Sequence, residues 1–163
     1  MAAFTHISPD RVSRFSDGSY GIYYCARTFR TAVMETVHHQ ARFLAATAEP
    51  PGWIIQMREL IAKIHRSFTD LRDDPKDSRL DPTSYSAAQS SAAALRANGS
   101  NGIVYPSVRD EGGECLAAFW PDCVGLPKQS AHWHYHWDGQ RIDYLKRLST
   151  TEEERAEIYQ IAP

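Results

Sequence analysis

The sequence predicts an α/β domain, and three observations carry that prediction. Tyr20–Ala26 is an apolar, aromatic and β-prone run bounded by the turn formers Ser16, Asp17, Gly18 and Ser19. It feeds a helical pattern over Thr31–Ala48, in which Val33, Val37, Ala41 and Leu44 fall on one apolar stripe. Further on, His132–Trp137 and Arg141–Leu148 flank Asp138-Gly139, a two-residue turn signal that predicts a hairpin. The 163 residues fit one domain spanning 1–163, and a hydrophobic content of 42% is enough for a core.

Taken in order, Ala3–Ser8 reads as a short strand ended by Pro9. The strand Tyr20–Ala26 follows, and Thr28 or Thr31 caps the helix after it. Glu49-Pro50-Pro51-Gly52 ends that helix. Trp53–Met57 reads as a strand, with strand favoured on to His65, and Phe68–Leu71 as another. Asp73–Pro82 is polar and reads as a loop. A second helix is expected from Asp81 as N-cap and Pro82 at the first position, through the alanine-rich stretch to Ala97, stopped by Asn98-Gly99. Ile103–Tyr105 and Cys115–Trp120 read as strands, the first ended by Pro106 with Ser107 just beyond. Thr151 and Glu154 have capping-box spacing for a short acidic helix. No internal repeat and no linker interrupts the chain.

Composition excludes several classes. The net charge is −2, from 18 basic and 20 acidic residues, so bulk electrostatics draw the chain neither to nucleic acid nor to an anionic membrane. No apolar run approaches the ~20 residues of a membrane span, and no signal peptide is visible. Cys25, Cys115 and Cys123 have no metal-site spacing and read as reduced thiols of a cytoplasmic protein. A phosphate-binding Gly-x-x-x-x-Gly-Lys loop, a dinucleotide fingerprint and a nucleophile elbow are all absent.

Arg14, Tyr24 and Glu35 are the candidate functional set. An arginine holds phosphate bidentately, a tyrosine ring stacks on an aromatic ligand, and a carboxylate stabilises a cationic transition state. Glu35 lies near the helix start, where the macrodipole favours its anionic form. The plainer alternative has Arg14 solvated, Tyr24 in the core and Glu35 as an ordinary helix charge. Glu35 and His38 also have the Glu-x-x-His spacing of di-iron helices, but that chemistry needs a second copy, which is missing. His39 is one turn from Glu35, as a supporting partner or as an exposed helix residue. His132, His134 and His136 alternate with Trp133, Tyr135 and Trp137, so the imidazoles share one strand face. That pattern suits a metal less well than an aromatic core face backed by a polar one, and no metal is expected.

The stretch SRFSDGSYGIYYCARTFRTAVMETVHHQARF resembles the core motif of the RES-domain family, and NGIVYPSVRDEGGECLAAFWP resembles its later motif. The two matches keep the family's order and cover most of Ser13–Pro121. The resemblance implies a fold like that of ADP-ribosyltransferases, with two central β-sheets and flanking helices. It implies an NAD-consuming toxin of a bacterial toxin–antitoxin pair. By position the family's arginine is Arg14, its tyrosine Tyr24, its glutamate Glu35 and its serine Ser107. Catalysis would rest on Glu35, Arg14 and Tyr24, and NAD binding on Arg14, Tyr24 and Ser107. NAD would be substrate, with no other cofactor. The family's partner is an Xre-type helix-turn-helix antitoxin that covers the NAD entrance.

Only thirteen residues precede Arg14, fewer than in many family members, so Arg27, Arg30 or Arg109 is expected to help on the adenosine side. The resemblance allows a protein side chain, water or phosphate as acceptor of ADP-ribose. A protein acceptor is favoured, and one relative's target, phosphoribosyl-pyrophosphate synthetase, points to a nucleotide-biosynthesis enzyme. Depletion of free NAD by hydrolysis or phosphorolysis is the alternative activity. A catalytically inert module is a further reading, which the intact Arg14, Tyr24, Glu35 and Ser107 oppose.

Overall fold

The computed structural model describes residues 2–74, 76–148 and 157–161. They form a mixed α+β chain with two four-stranded sheets. By packing, the chain divides into two compact units, one of residues 1–34 and 63–125, the other of residues 35–62 and 126–163.

The first unit carries α1 (Ala2–Thr5), β1 (Tyr23–Ala26), β3 (Thr69–Asp70), α3 (Ser86–Ala97), β4 (Gly102–Pro106) and β5 (Glu114–Ala118). Its sheet has the order β1-β5-β4-β3, antiparallel except for the parallel β3–β4 pair. Ala88 and Ala92 sit four apart on α3 and are fully buried with Phe15, Ile103, Tyr105, Ala117 and Phe119. Such small side chains let the helix approach this core closely. Arg96, also on α3, lies over the rings of Tyr20 and Trp120, at 4.7 and 4.1 Å from their centroids.

The second unit holds most of α2 (Phe29–Thr47), together with β2 (Trp53–Ile61), β6 (Lys128–Trp137), β7 (Ile142–Leu148) and β8 (Ile158–Gln160). Its sheet is antiparallel throughout, in the order β2-β6-β7-β8. Trp133, Tyr135 and Trp137 alternate into the interior with Ile142 and Leu145. The Tyr135 hydroxyl and Thr36 Oγ1 share a 2.9 Å hydrogen bond that ties α2 to β6. Trp137 donates its indole N–H to the Glu49 carbonyl at 3.1 Å, just past the end of α2. No helix among the described residues is long and apolar enough to cross a membrane.

Several expectations need correction. The segment expected to be a strand at Ala3–Ser8 is helical over Ala2–Thr5 and closes with His6 N–H on the Ala2 carbonyl. A short apolar run fits either state, and a helical turn satisfies its own backbone. Within Tyr20–Ala26 only Tyr23–Ala26 pairs, because Ser16 Oγ donates to the Tyr20 carbonyl at 2.6 Å and holds the preceding residues in a turn. Beyond Ile61 the expected strand reduces to a single bridge between Ile64 and Val124, and Phe68–Leu71 to Thr69–Asp70. The loop Asp73–Pro82 contains a 3-10 turn at Ser78–Leu80.

Asp81 does not cap α3. Its Oδ1 accepts from Thr83 N–H, Thr83 Oγ1 and Ser84 N–H, closing an Asx-type turn, and α3 begins only at Ser86. The hairpin turn is longer than its dipeptide suggests: Trp137 faces Ile142, and Asp138 Oδ1 accepts from the N–H groups of Gln140 and Arg141. β8 was not foreseen, and the Thr151/Glu154 helix lies outside the described residues.

Candidate active site

Arg14 is buried, at 8% exposure, in the turn before β1. Its Nη1 donates to the Asp81 carbonyl at 2.8 Å and the Arg79 carbonyl at 3.3 Å. Its guanidinium also lies over the Tyr85 ring, 4.9 Å from the centroid. No carboxylate lies within ion-pair distance of it among the described residues. Buried charges are ordinarily paired with a carboxylate, whereas the bonded partners of this one are two carbonyls and a ring.

Tyr24 is fastened to the same turn. Its hydroxyl shares a 2.9 Å hydrogen bond with Ser13 Oγ and accepts from Phe15 N–H at 3.0 Å, the residues on either side of Arg14. Burial pushes the phenol up to about 12, so it is neutral at any physiological pH. The residue as a whole is nevertheless 37% exposed. The hydroxyl end is thus fixed while part of the side chain faces outward, a geometry that suits stacking. Arg14 and Tyr24 are therefore brought together, and Ser13 is a supporting residue that sequence reasoning passed over.

Ser107 follows β4, and its Oγ accepts from the N–H groups of Arg109 at 3.1 Å and Asp110 at 3.0 Å. Its own N–H donates to the Gly113 carbonyl at 2.8 Å. The serine thus organises the 107–113 turn. That turn presents the buried Asp110, whose Oδ2 accepts from Thr31 Oγ1 at 2.8 Å and whose Oδ1 accepts from Arg30 Nε at 2.9 Å. Those bonds, the Arg30 one first, hold the Asp110 carboxyl below the usual carboxylate range. Sequence reasoning missed Asp110. The Ser-x-x-Asp spacing after a strand was the available signal, because a serine so placed caps the N–H groups that follow.

Glu35 stands in the second turn of α2, half-buried, and is the first residue of the second unit. Thr28, not Thr31, caps this helix: Thr28 Oγ1 accepts from Thr31 N–H at 3.2 Å. His38 and His39 follow with their rings 5.4 Å apart, His39 exposed.

Of the three other arginines, Arg27 pairs with Glu114 and Arg30 with Asp110, each at 2.9 Å. Glu114 is shared with Arg72, which also pairs with Asp70 at 2.6 Å, so Arg27 belongs to a surface network of charges. Arg109 makes no ion pair among the described residues.

The histidine face of β6 follows the period-two pattern. His136 Nδ1 lies 2.6 Å from Asp143 Oδ1, and its ring stacks on Tyr144. His132 bonds Gln129 at 2.7 Å. Among the described residues no group of three His, Cys, Asp or Glu side chains is gathered to hold a metal. Burial pushes the Cys25 thiol up to about 11 and raises that of Cys123, which disfavours reactive thiolate.

The chain is thus a mixed α+β protein with a buried arginine in the turn before β1, and a half-exposed tyrosine of β1 is bonded through its hydroxyl to the residues on either side of that arginine. Residues 1–138 match the RES domain, and the chain belongs to that family. It is also similar to an uncharacterized protein, y4oC, of Sinorhizobium fredii (strain NBRC 101917 / NGR234), with 28% identity over 145 residues. That similarity covers 89% of this chain, which spans about 60% of the relative's length.

Proposed function

We propose that this chain cleaves the nicotinamide–ribose bond of NAD and transfers ADP-ribose to a protein side chain, as the toxin of a toxin–antitoxin module. Membership of the RES-domain family supports the class. The observation that carries the reading is the Arg14–Tyr24 pair: a buried guanidinium with no ion pair among the described residues, beside a tyrosine fixed by its hydroxyl. In this reading the fold is of the ADP-ribosyltransferase kind, and the two sheets with α2 are its framework.

Arg14 holds the pyrophosphate, and the Tyr24 ring packs on nicotinamide or its ribose. As the bond between the ribose carbon and the nicotinamide nitrogen breaks, its electron pair leaves with nicotinamide, which departs neutral and needs no acid. Positive charge builds on the ribose, and the Glu35 carboxylate stabilises it. The acceptor nucleophile then bonds the ribose carbon and loses its proton. Ser107 helps position the nicotinamide ribose or Glu35. Val33, two residues before Glu35, is buried at 2% exposure, so a core side chain stands where arginine-specific transferases carry a second glutamate. The acceptor is accordingly a serine, threonine or lysine already activated in its own active site, as a nucleotide-biosynthesis enzyme such as phosphoribosyl-pyrophosphate synthetase would offer. The proposed partner is an Xre-type antitoxin that covers the NAD entrance.

Nicotinamide release from NAD by purified protein tests the reaction. Wild type is expected to release it, and Glu35→Gln to do so on the order of 10²-fold more slowly or worse. A folded Glu35→Gln protein working at the wild-type rate would remove Glu35 from the mechanism. Mass spectrometry of cell protein incubated with labelled NAD tests the acceptor. Label on arginine contradicts the specificity argument, and free ADP-ribose without labelled protein identifies a hydrolase instead.

A further inference from the structure

Thr31 and Glu35 are four residues apart on α2, so their side chains share one helix face. Thr31 is 1% exposed and bonded on both sides. Its Oγ1 lies 2.8 Å from Thr28 Oγ1 and donates to Asp110 Oδ2 at 2.8 Å. Asp110 itself is fixed from behind. Ser107 Oγ accepts from its N–H, and its carbonyl accepts from Gly113 N–H at 2.9 Å.

Gly113 completes the fit. A Cβ there would lie 2.7 Å from Thr31 Cγ2, 2.8 Å from Thr31 Oγ1 and 2.9 Å from the Asp110 carbonyl oxygen. Backbone therefore touches Thr31 directly, and Arg30 pairs with the other oxygen of Asp110. The first turn of α2 is held by side chains on two successive helical residues and by a backbone contact.

We infer that the Thr31–Asp110 hydrogen bond is a positioning device for the reaction: it sets the rotation of α2 and thereby the aim of Glu35. This rests on the reading of Glu35 as the charge-stabilising carboxylate. A side chain stands ~5 Å or more from the helix axis, so a rotational slip of ~10° moves it by about 1 Å. Misplacement of that order costs up to about 10²-fold in rate. Ser107 takes part through the turn it organises, which joins the serine of one sequence motif to the glutamate of the other.

The test compares Thr31→Val, which keeps shape but loses the donated hydrogen bond, with Thr31→Ser, which keeps the hydroxyl. Folding is checked by circular dichroism and thermal unfolding, and kinetics by nicotinamide release. Thr31→Val is expected to lower kcat by about 10-fold or more with the KM for NAD changed less than about 3-fold, since Arg14 and Tyr24 are untouched. Thr31→Ser recovers most of the loss. In a Glu35→Gln background the Thr31→Val effect should largely vanish, because the two act as a unit. A folded Thr31→Val enzyme at wild-type kcat overturns the inference while leaving Glu35 catalytic. An undiminished Thr31→Val effect in the Glu35→Gln background overturns it too, by placing Thr31's action elsewhere. Wild-type turnover by Glu35→Gln overturns the underlying reading instead.

Discussion

The two ends of Tyr24 stand in different surroundings. The hydroxyl closes the turn around Arg14 by accepting from Phe15 N–H, and part of the side chain remains exposed. Tyr24→Phe keeps the ring but leaves that N–H without its acceptor, which should cost about 1–2 kcal/mol at neutral pH in a denaturant titration. The phenol also titrates differently in the two states, at about 12 in the folded chain against 10.0 ordinarily. A group with a raised folded value contributes fully below its unfolded value and loses that contribution as pH rises through the folded one. The gap between wild type and Tyr24→Phe should therefore narrow as pH rises from about 10 to about 12. A constant gap over that window would mean that the hydroxyl is not shielded.

At the scale of the element, the C-terminus of α2 carries an avoidable strain. Ala48 has φ 55, the left-handed region that a residue with a Cβ rarely adopts. It is there because the helix ends in a Schellman pattern, with Glu49 N–H on the Leu44 carbonyl at 3.1 Å and Ala48 N–H on the Ala45 carbonyl at 3.4 Å. Those bonds satisfy carbonyls that would otherwise end the helix unpaired. Ala48→Gly should therefore stabilise the protein by about 1 kcal/mol, read as a higher denaturation midpoint at unchanged m-value. A lower midpoint would mean that the lost alanine side chain outweighs the relieved backbone. Gly102 shows the opposite case. Its φ is +142, and a Cβ would lie 2.0 Å from the Ala117 carbonyl oxygen, so β4 and β5 can pair closely only at a glycine.

At the scale of the molecule, each unit is assembled from separate stretches of chain. The second joins residues 35–62 to residues 126–163. β2 has β6 as its sheet neighbour, and β6 lies beyond Gly125. A fragment of residues 1–125 therefore leaves β2 unpaired while Trp53, Ile54, Leu60 and Ile61, already 39–59% exposed, remain on it. Unpaired edges with apolar side chains associate. The fragment is expected to aggregate and to lose part of its helical signal, as judged by sedimentation and circular dichroism. A monomeric fragment with intact α2 would show that the second sheet is dispensable for the helix.

Local patterns in the sequence determined much of this protein. The stripe Val33–Leu44 marked α2, the alternation of Trp133, Tyr135 and Trp137 marked a strand with one buried face, and Asn98-Gly99 marked the end of α3. These features follow from periods of 3.6 and 2 and from backbone preferences, which act between near neighbours. Arg14 and Tyr24 were also legible as a pair, through the motif that contains both. Tertiary structure alone decided which competing local choice prevailed. Asp81 had the chemistry of a helix cap and closed a turn instead, and Ala3–Ser8 had the composition of a strand and formed a helix. Thr31 and Asp110 stand far apart in the chain, and neither belongs to a recognisable spacing with the other. Their hydrogen bond exists because β4 and β5 deliver the 107–113 turn to the start of α2. Contacts of that kind depend on how whole elements are placed, and no local period in a sequence encodes them.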